Sequence, residues 1–250
     1  MTENFEDIFL KESGCLWYGK IRTGVTGITA LCRKLDAPEV FLFKDRPKIK
    51  AGVVDGFFVK RYNLPGFFTQ LRRRFKSPRP ENVLAGSLGL EKLGIATPPV
   101  WAALVCQCRW CRKEYLVTGL LDEKCRCLHR ISEEECRQFL TGEFIGMVRK
   151  MHDTGMYHGD LSLRNCYISG DGKAGLIDLD GFTVSTHPVS CRKRASELGR
   201  LISSFLMYNR IMDQAVDFTE YAINIYGGGL SSGAVLKVVK RFFHKGRKYL

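Results

Sequence analysis

Two short polar runs in the second half of the chain combine residue types that handle phosphate groups. Asp160 precedes Asn165 by five residues, and Asp178 follows that Asn by thirteen. In phosphoryl transfer, one carboxylate accepts or orients the proton of the acceptor hydroxyl, while an amide and a second carboxylate hold Mg²⁺ on the nucleotide phosphates. The spacing therefore predicts phosphoryl transfer as the reaction type, and it leaves the acceptor open.

A helix is predicted directly ahead of the first run. Ser132–Glu135 is a capping box that starts it, and apolar residues recur at helical spacing up to Met151. This helix is predicted to end at Gly155, shortly before His158. We interpret His158 as a structural residue that braces the loop through hydrogen bonds, and not as an acid or base. A further helix is predicted from about Arg194 to Tyr208.

Strand and turn signals dominate the first half of the chain. Residues 1–40 carry short apolar pieces between glycines, which favours strands and turns there. Asp55-Gly56 between two apolar runs is a strong hairpin signal. The predicted strands are Val40–Phe43, Lys48–Val54, Phe57–Tyr62, Trp101–Cys106 and Arg112–Thr118.

Lys60 lies in a strand of large apolar residues, at the position where a kinase strand carries its phosphate-pairing lysine. The alternative is an exposed strand lysine without a role in binding. A helix predicted over Glu81–Leu93 follows, and a kinase needs a glutamate there to pair with the lysine. We prefer Glu81 for this role because Glu91 sits within a turn of the helix end.

Thr118–Leu121 is predicted to form a hinge after the last of these strands. Its backbone is expected to meet an adenine ring, so Gly119 and Leu120 are candidate nucleotide-binding residues. The predicted organisation is a single domain with an N-lobe over about 1–118, a hinge over 119–121 and a C-lobe over 122–250.

Composition limits the class of protein. The 250 residues are 45% hydrophobic and 26% charged, which is ordinary for a globular protein with a proper core. No run approaches the ~20 apolar residues of a membrane-spanning helix. The first seven residues are acidic and lack the basic, then apolar, order of a signal peptide, so we expect a cytoplasmic protein.

Ten cysteines in a chain with no recognisable export signal favour reduced thiols over a disulfide framework. Five of these cysteines and one nearby histidine are candidate zinc ligands, but their spacing matches no standard paired arrangement. Scattered structural thiols are the preferred interpretation, and whether the cluster from Cys106 to Cys127 binds metal stays open. The candidate zinc ligands are Cys106, Cys108, Cys111, Cys125, Cys127 and His129.

The quoted residues resemble a known group of enzymes. Met151-His152-x-x-Gly155-x-x-His158-Gly159-Asp160-Leu161-x-x-x-Asn165 and Leu176-Ile177-Asp178 resemble the protein-kinase-like superfamily, and within it the lipopolysaccharide core sugar (Kdo and heptose) kinase family. The segments 59–62, 94–98 and 194–201 fit the same pattern, so that the resemblance spans about Val40 to Leu206. It implies an α+β, two-lobed fold with a β-rich N-lobe that carries one main helix and a mainly helical C-lobe.

The resemblance also implies roles for individual residues. Asp160 corresponds to the catalytic base or hydroxyl-orienting residue, Asn165 and Asp178 to the Mg²⁺ ligands, and Lys60 to the lysine on the α- and β-phosphates of ATP. Elementary chemistry is compatible with these roles, because phosphoryl transfer depends on positioning and charge neutralisation. Oxygen ligands of this kind suit Mg²⁺.

Three features favour a small-molecule or glycan hydroxyl as acceptor over a protein. Gly159 replaces the Arg of His-Arg-Asp kinases, and Ser162 replaces a lysine common in protein kinases. The segment 181–194 is short and lacks an Ala-Pro-Glu anchor. The expected function is therefore ATP- and Mg²⁺-dependent phosphorylation of a lipopolysaccharide core sugar. The alternatives are a kinase for a protein or another small molecule, and an inactive nucleotide-binding pseudokinase.

A net charge of +13 fits an anionic partner such as the lipopolysaccharide core. Basic residues concentrate at Arg72–Lys76 and Lys237–Lys248. Val235, Val238, Val239 and Phe242 fall on one helical face. This composition suits either a helix at the cytoplasmic face of the inner membrane or a terminal helix docked on the C-lobe. Nucleic acid is the least favoured partner.

Overall fold

The computed structural model describes residues 5–38, 40, 42–64, 77–108 and 111–246. The chain divides into two compact units. The first comprises residues 1–87 and 98–121, and the second comprises residues 88–97 and 122–250. The predicted basic patch at 72–76 lies outside the described residues. The lobe and hinge boundaries stay a prediction.

The first unit is built on one seven-stranded antiparallel sheet, with the strand order β1-β2-β6-β7-β5-β4-β3. Its strands are β1 (Phe5–Glu12), β2 (Cys15–Arg22), β3 (Leu42–Arg46), β4 (Ile49–Val54), β5 (Phe57–Asn63), β6 (Val100–Gln107) and β7 (Arg112–Thr118).

The predicted hairpin at Asp55-Gly56 is confirmed. Both residues have positive φ, 47° and 80°, which a two-residue turn between right-twisted strands requires. Strand β5 therefore runs between β4 and β7, and Lys60 pairs with Ala51 on one side and Leu116 on the other. Strand β3 begins at Leu42, two residues later than predicted.

A short helix, α1 (Ile28–Lys34), was not expected among the strands of the first 40 residues. Its buried residues are Ile28, Thr29 and Cys32, which share one helical face at spacings of three and four. Cys32 joins the apolar core of the sheet, together with Trp17 and Leu104. The helix forms because this face has a core to cover, while its length alone would not sustain it.

Helix α2 (Arg79–Lys92) matches the helix predicted over 81–93 to within two residues at its start. It begins in the first unit and ends in the second.

The second unit is mainly helical. Its helices are α3 (Glu133–Phe139), a π-helical turn (Leu140–Phe144), α4 (Ile145–Asp153), α5 (Cys191–Asn209), α6 (Ala215–Tyr226) and α7 (Ser232–Gly246), with short 3₁₀ turns between them. Its short strands are β8 (Arg126–Cys127), β9 (Met156–Tyr157), β10 (Cys166–Ile168), β11 (Ala174–Leu176) and β12 (Thr183–Val184). Strand β10 pairs with β11 and β8, and β12 pairs with β9. The α+β class predicted from the sequence is confirmed.

The helix caps and faces follow the sequence pattern. Ser132 caps α3, where its hydroxyl accepts a hydrogen bond from the Glu135 amide at 3.3 Å. Leu198, Leu201, Ile202 and Phe205 of α5 are buried. Phe205 stacks on Phe218 of α6 with ring centroids 4.5 Å apart. The predicted continuous helix from 133 to 151 is interrupted only by the π-helical turn.

Helix α7 packs on the second unit. Val235 and Val239 are completely buried, and a Cβ at Gly199 would lie 2.8 Å from the Val238 side chain. Of the two alternatives for this helix, the docked arrangement is the one observed. Among the described residues, no helix has the length and apolar character needed to cross a membrane.

Candidate active site

The loop between β9 and β10 contains the first polar run and is organised around His158. The ring is fully buried, its Nε2 donates to the Ile177 carbonyl at 3.1 Å, and its Nδ1 accepts from the Asp160 amide at 3.3 Å. Burial lowers the pKa of His158 below its ordinary value. A neutral ring with one donating and one accepting nitrogen matches the interpretation of His158 as a brace of the loop.

Glu197 of α5 binds the backbone of the same loop. Its side chain is 2% exposed and accepts from the His158 amide at 3.1 Å and from the Gly159 amide at 2.6 Å. It also accepts from His152 Nε2 at 2.9 Å. Glu197 belongs to the segment 194–201 that fits the family pattern, but the sequence predicts no role for it. The structure shows that this one carboxylate fixes two consecutive backbone amides of the loop.

Gly159 occupies a place where no side chain fits. Its φ is +83°, and a Cβ there would lie 2.6 Å from the carbonyl oxygen of Gly181. Its backbone touches the segment after Asp178 so closely that alanine would clash with another backbone atom, which cannot rotate away. The glycine that replaces arginine at this position is therefore required by the packing of two backbone segments.

Asp160 is presented to solvent, with its side chain 63% exposed. Arg200 of α5 donates to the Gly159 carbonyl at 2.7 Å and forms a close ion pair with Asp160 Oδ1. An ionised carboxylate only accepts hydrogen bonds, so this contact orients the group, and most of the side chain stays accessible. Nothing in the sequence predicts that Arg200 contacts Asp160, which lies 40 residues earlier.

Asn165 and Asp178, the predicted metal ligands, come to the same end of a small sheet. Asn165 directly precedes β10, Asp178 follows β11 by two residues, and the Ile177 amide donates to the Asn165 carbonyl at 2.9 Å. The Asn165 amide nitrogen donates to the Asp160 carbonyl at 2.8 Å, so the amide oxygen faces the other way. Asp178 is exposed and has φ 57° and ψ 58°. Such left-handed geometry is uncommon for a non-glycine residue and is frequent at functional sites.

These donors fit a magnesium ion. One amide oxygen and one carboxylate supply the hard, neutral and anionic oxygens that Mg²⁺ prefers, and the ion takes its remaining ligands from water and phosphate.

Arg164 stands between the two predicted ligands in the chain and points to Tyr208. Its Nε donates to the tyrosine hydroxyl, and its guanidinium lies 5.5 Å from the centre of that ring. Among the described contacts, the partner of Arg164 is therefore a tyrosine.

The first unit contains the candidate nucleotide-binding residues. Lys60 is 7% exposed, with its Nζ 5.6 Å from the centre of the Tyr62 ring. Burial raises the pKa of Glu81, and Lys20 and Arg112 act against this shift. The pairing of Lys60 with Glu81 therefore stays a prediction.

The predicted hinge residues follow β7 directly. The Gly119 amide donates to the Pro99 carbonyl at 2.8 Å, and Leu120 is exposed. The Gly119 carbonyl is thus available to a nucleobase, whereas the Gly119 amide already donates to Pro99. A contact of this segment with adenine stays a prediction.

The cysteines differ in part from the sequence expectation. Eight are free thiols, as expected, but Cys15 and Cys108 form a disulfide. The sulfurs of Cys15, Cys106 and Cys108 lie within 4.8 Å of one another, which is the one group of potential metal ligands found among the described residues. The later candidates Cys125, Cys127 and His129 are not part of this group.

The solved structures similar to this chain include two with a TM-score of 0.42 each. Vaccinia related kinase 3 is 11% identical, and the match covers 96% of this chain and 91% of that one. The bifunctional kinase-methyltransferase WbdD is 15% identical, with 78% of this chain and 42% of that one covered. No curated protein sequence matches.

A family model, described as the lipopolysaccharide kinase (Kdo/WaaP) family, matches residues 71–223. This range is more than half of the chain and contains Asp160, Asn165 and Asp178 together with Glu197 and Arg200. The expected family resemblance is confirmed, and the chain belongs to the lipopolysaccharide kinase (Kdo/WaaP) family of phosphotransferases.

Proposed function

We propose that this protein transfers the γ-phosphoryl group of ATP to a sugar hydroxyl, Kdo or heptose, of the lipopolysaccharide inner core. Family membership supports a kinase with a lipopolysaccharide acceptor. The observation that carries the proposal is the way the loop holds its reactive group. Glu197 holds the loop backbone, Arg200 contacts one oxygen of Asp160, and the Asp160 side chain is 63% exposed.

Asp160 is the proposed catalytic base. A sugar hydroxyl that approaches its second oxygen donates a hydrogen bond to it, and this orients the hydroxyl oxygen toward the γ-phosphorus. The proton passes to the carboxylate as the bond from the hydroxyl oxygen to the γ-phosphorus forms. The bond from that phosphorus to the oxygen shared with the β-phosphate breaks in the same step, and ADP leaves. Arg200 limits rotation of the carboxylate, so the oxygen that receives the proton is held in place before the acceptor arrives.

Asn165 and Asp178 are the proposed ligands of Mg²⁺. When bound, the ion neutralises the charge that develops on the phosphate oxygens. The Asn165–Asp160 hydrogen bond links the metal ligand to the base, so the two groups keep a fixed separation. The left-handed backbone of Asp178 presents its carboxylate outward from the end of β11.

The first unit is proposed to bind the nucleotide. Lys60 would contact the α- and β-phosphates, Glu81 would orient that lysine, and the backbone of Gly119 and Leu120 would meet the adenine. Under this proposal, the N-lobe, hinge and C-lobe are 1–118, 119–121 and 122–250. The place of Lys60 within β5 supports its role, because a kinase carries its phosphate-pairing lysine on a strand of this kind.

The acceptor proposal rests on the family and on the surface charge. Lys237, Lys240 and Arg241 of α7 are exposed, while its apolar residues pack inward. The helix thus presents a basic face that suits a polyanionic glycan, and it would hold the enzyme peripherally at an anionic membrane by charge alone. Transfer to a protein or to another small molecule would be an alternative outcome of the test.

The test is phosphate transfer from ATP to purified lipopolysaccharide core fragments, with the product analysed by mass spectrometry. Wild-type protein is expected to add one phosphate, in Mg²⁺ but not in a chelator, and Asp160→Asn is expected to add none. Asp171→Asn is the matched control, because Asp171 is an exposed aspartate on the β10–β11 turn. Transfer to a peptide or a small polyol, with none to core fragments, would refute the acceptor. Undiminished activity of Asp160→Asn would refute the mechanism.

A further inference from the structure

Four cysteines meet at one edge of the sheet of the first unit, far along the chain from the loop of the proposed reaction. Cys15 starts β2, Cys106 lies near the end of β6, and Cys108 and Cys111 lie in the connection from β6 to β7. The register pairs Trp17 with Cys106, so strand pairing brings the start of β2 next to this connection. We call Cys15, Cys106, Cys108 and Cys111 the hairpin cysteine cluster.

Three of these sulfurs lie close together, and two of them, those of Cys15 and Cys108, are joined as a disulfide. Cys15, Cys106 and Cys108 place their sulfurs within 4.8 Å of one another, and the Cys106 and Cys108 sulfurs are 4.0 Å apart. Two thiolates on a tetrahedral zinc, each with a Zn–S bond of about 2.3 Å, lie about 3.8 Å apart. The observed separation is close to that value.

The connection between β6 and β7 offers a fourth sulfur, that of Cys111, which lies outside the group within 4.8 Å. Cys108 and Cys111 are separated by two residues, the spacing with which zinc-binding turns present two thiolates. The Cys108 amide donates to the Cys111 carbonyl at 2.9 Å, and the Gln107 side chain donates to the Cys108 carbonyl at 2.9 Å. The first of these bonds holds Cys108 and Cys111 beside each other.

The surroundings also suit a zinc thiolate group. Four thiolates and one Zn²⁺ carry two negative charges, which need nearby cations. Lys113 pairs with Cys106 in the strand register, and the Arg33 guanidinium lies 5.5 Å from the centre of the ring of Trp17, which pairs with Cys106 on the other side. Cys106 itself is buried, while the other three are partly exposed, so an ion can reach the group from solvent.

We propose that the hairpin cysteine cluster of the reduced protein binds one Zn²⁺ through four thiolates, as a structural site independent of phosphoryl transfer. It ties β2 to the β6–β7 connection and thus to two strands that are distant in sequence. The Cys15–Cys108 disulfide and this site exclude each other, because both use the same two sulfurs. Each thiol releases its proton as it binds, so the affinity falls at low pH.

The test is the zinc content of the full-length protein, purified with reductant and dialysed against metal-free buffer, by plasma mass spectrometry. Wild-type protein is expected to hold about one zinc per chain, and Cys106→Ser and Cys111→Ser less than about a tenth of that. Cys191→Ser is the matched control, because Cys191 is an exposed free thiol of the second unit. A variant of either cluster residue with wild-type zinc content would overturn the proposal.

A second measurement covers variants that fail to fold. Cobalt added to the metal-free wild-type protein is expected to give the sulfur-to-cobalt charge-transfer absorption and visible bands of a tetrahedral thiolate site. In parallel, alkylation and peptide mass spectrometry report the state of each cysteine. A metal-free wild-type protein that shows no cobalt spectrum, with Cys15 and Cys108 either linked or both readily alkylated, would overturn the proposal without any variant.

Discussion

Replacement of Glu197 by glutamine tests whether one buried carboxylate holds the catalytic loop. Glu197 Oε2 accepts from the His158 amide and from His152, and Oε1 accepts from the Gly159 amide. Glutamine keeps one oxygen and replaces the other by an NH₂ group, so at least one buried N–H faces another donor. Since a hydrogen bond to a charged group contributes about 1.5–3 kcal/mol, Glu197→Gln should lower the free energy of unfolding by about 2–4 kcal/mol.

The same change should reduce catalysis more than nucleotide binding. A displaced Gly159 moves Asp160, and a displacement of about 1 Å at a reacting group costs about 100-fold in rate. We therefore expect kcat to fall by about 10- to 100-fold while KM for ATP changes little. Urea denaturation gives the stability, provided that the slope with denaturant is unchanged, and steady-state phosphate transfer gives kcat.

Glu220→Gln is the control, because Glu220 is an exposed glutamate on α6. It should lie within about 0.5 kcal/mol of the wild type and keep its rate. If Glu197→Gln behaves like this control, then the three hydrogen bonds do not hold the loop, and the positioning argument is wrong.

Three further changes probe the same loop. Gly159→Ala should lower the free energy of unfolding by about 2–4 kcal/mol and abolish activity. Gly172→Ala is its control, because φ is +84° there as well but nothing lies within 4 Å of the added Cβ, so it should cost only about 1 kcal/mol. Equal losses of the two variants in urea denaturation would exclude the clash at Gly159. Arg200→Lys should lower kcat by about 10-fold at unchanged KM for ATP, because an ammonium cannot bridge the Gly159 carbonyl and Asp160 as the guanidinium does; an unchanged kcat would contradict this. Because burial lowers the pKa of His158, the unfolded chain takes up a proton near its ordinary pKa of about 6.5 while the folded chain does not, so stability falls as the pH drops below that value. His158→Asn should flatten this dependence between about pH 7 and 5 in urea midpoints, and an equal slope in both proteins would show that other groups control it.

Sequence patterns predicted those elements whose causes lie close together in the chain. The loop from His158 to Asn165, the Asp55-Gly56 hairpin and the capped helix α3 each depend on residues within a few positions of one another. Asn165 and Asp178 lie at the same end of the small sheet because the paired strands β10 and β11 run between them in the chain.

The contacts that were missed join residues distant in the chain. Glu197 and Arg200 reach the loop from about 40 residues away, and only their positions on α5 reveal what they bind. Cys15 meets Cys108 across 93 residues because β2 pairs with β6. Helix α1 was missed because its short apolar face resembles a strand until the sheet beneath it is known.

The packing of α7 has a consequence for the order in which the molecule is assembled. Phe242 lies under the Arg200 guanidinium, 4.8 Å from ring centre to charge, and Arg200 in turn holds Asp160. Helix α7 follows α3, α4 and the loop from His158 to Asn165 in the chain, so it is synthesised after them. Contacts between residues about 40 positions apart require closure of a longer loop than the contacts within one helix. Arg200, which contacts Asp160, therefore acquires its packing partner Phe242 only after α7 has docked.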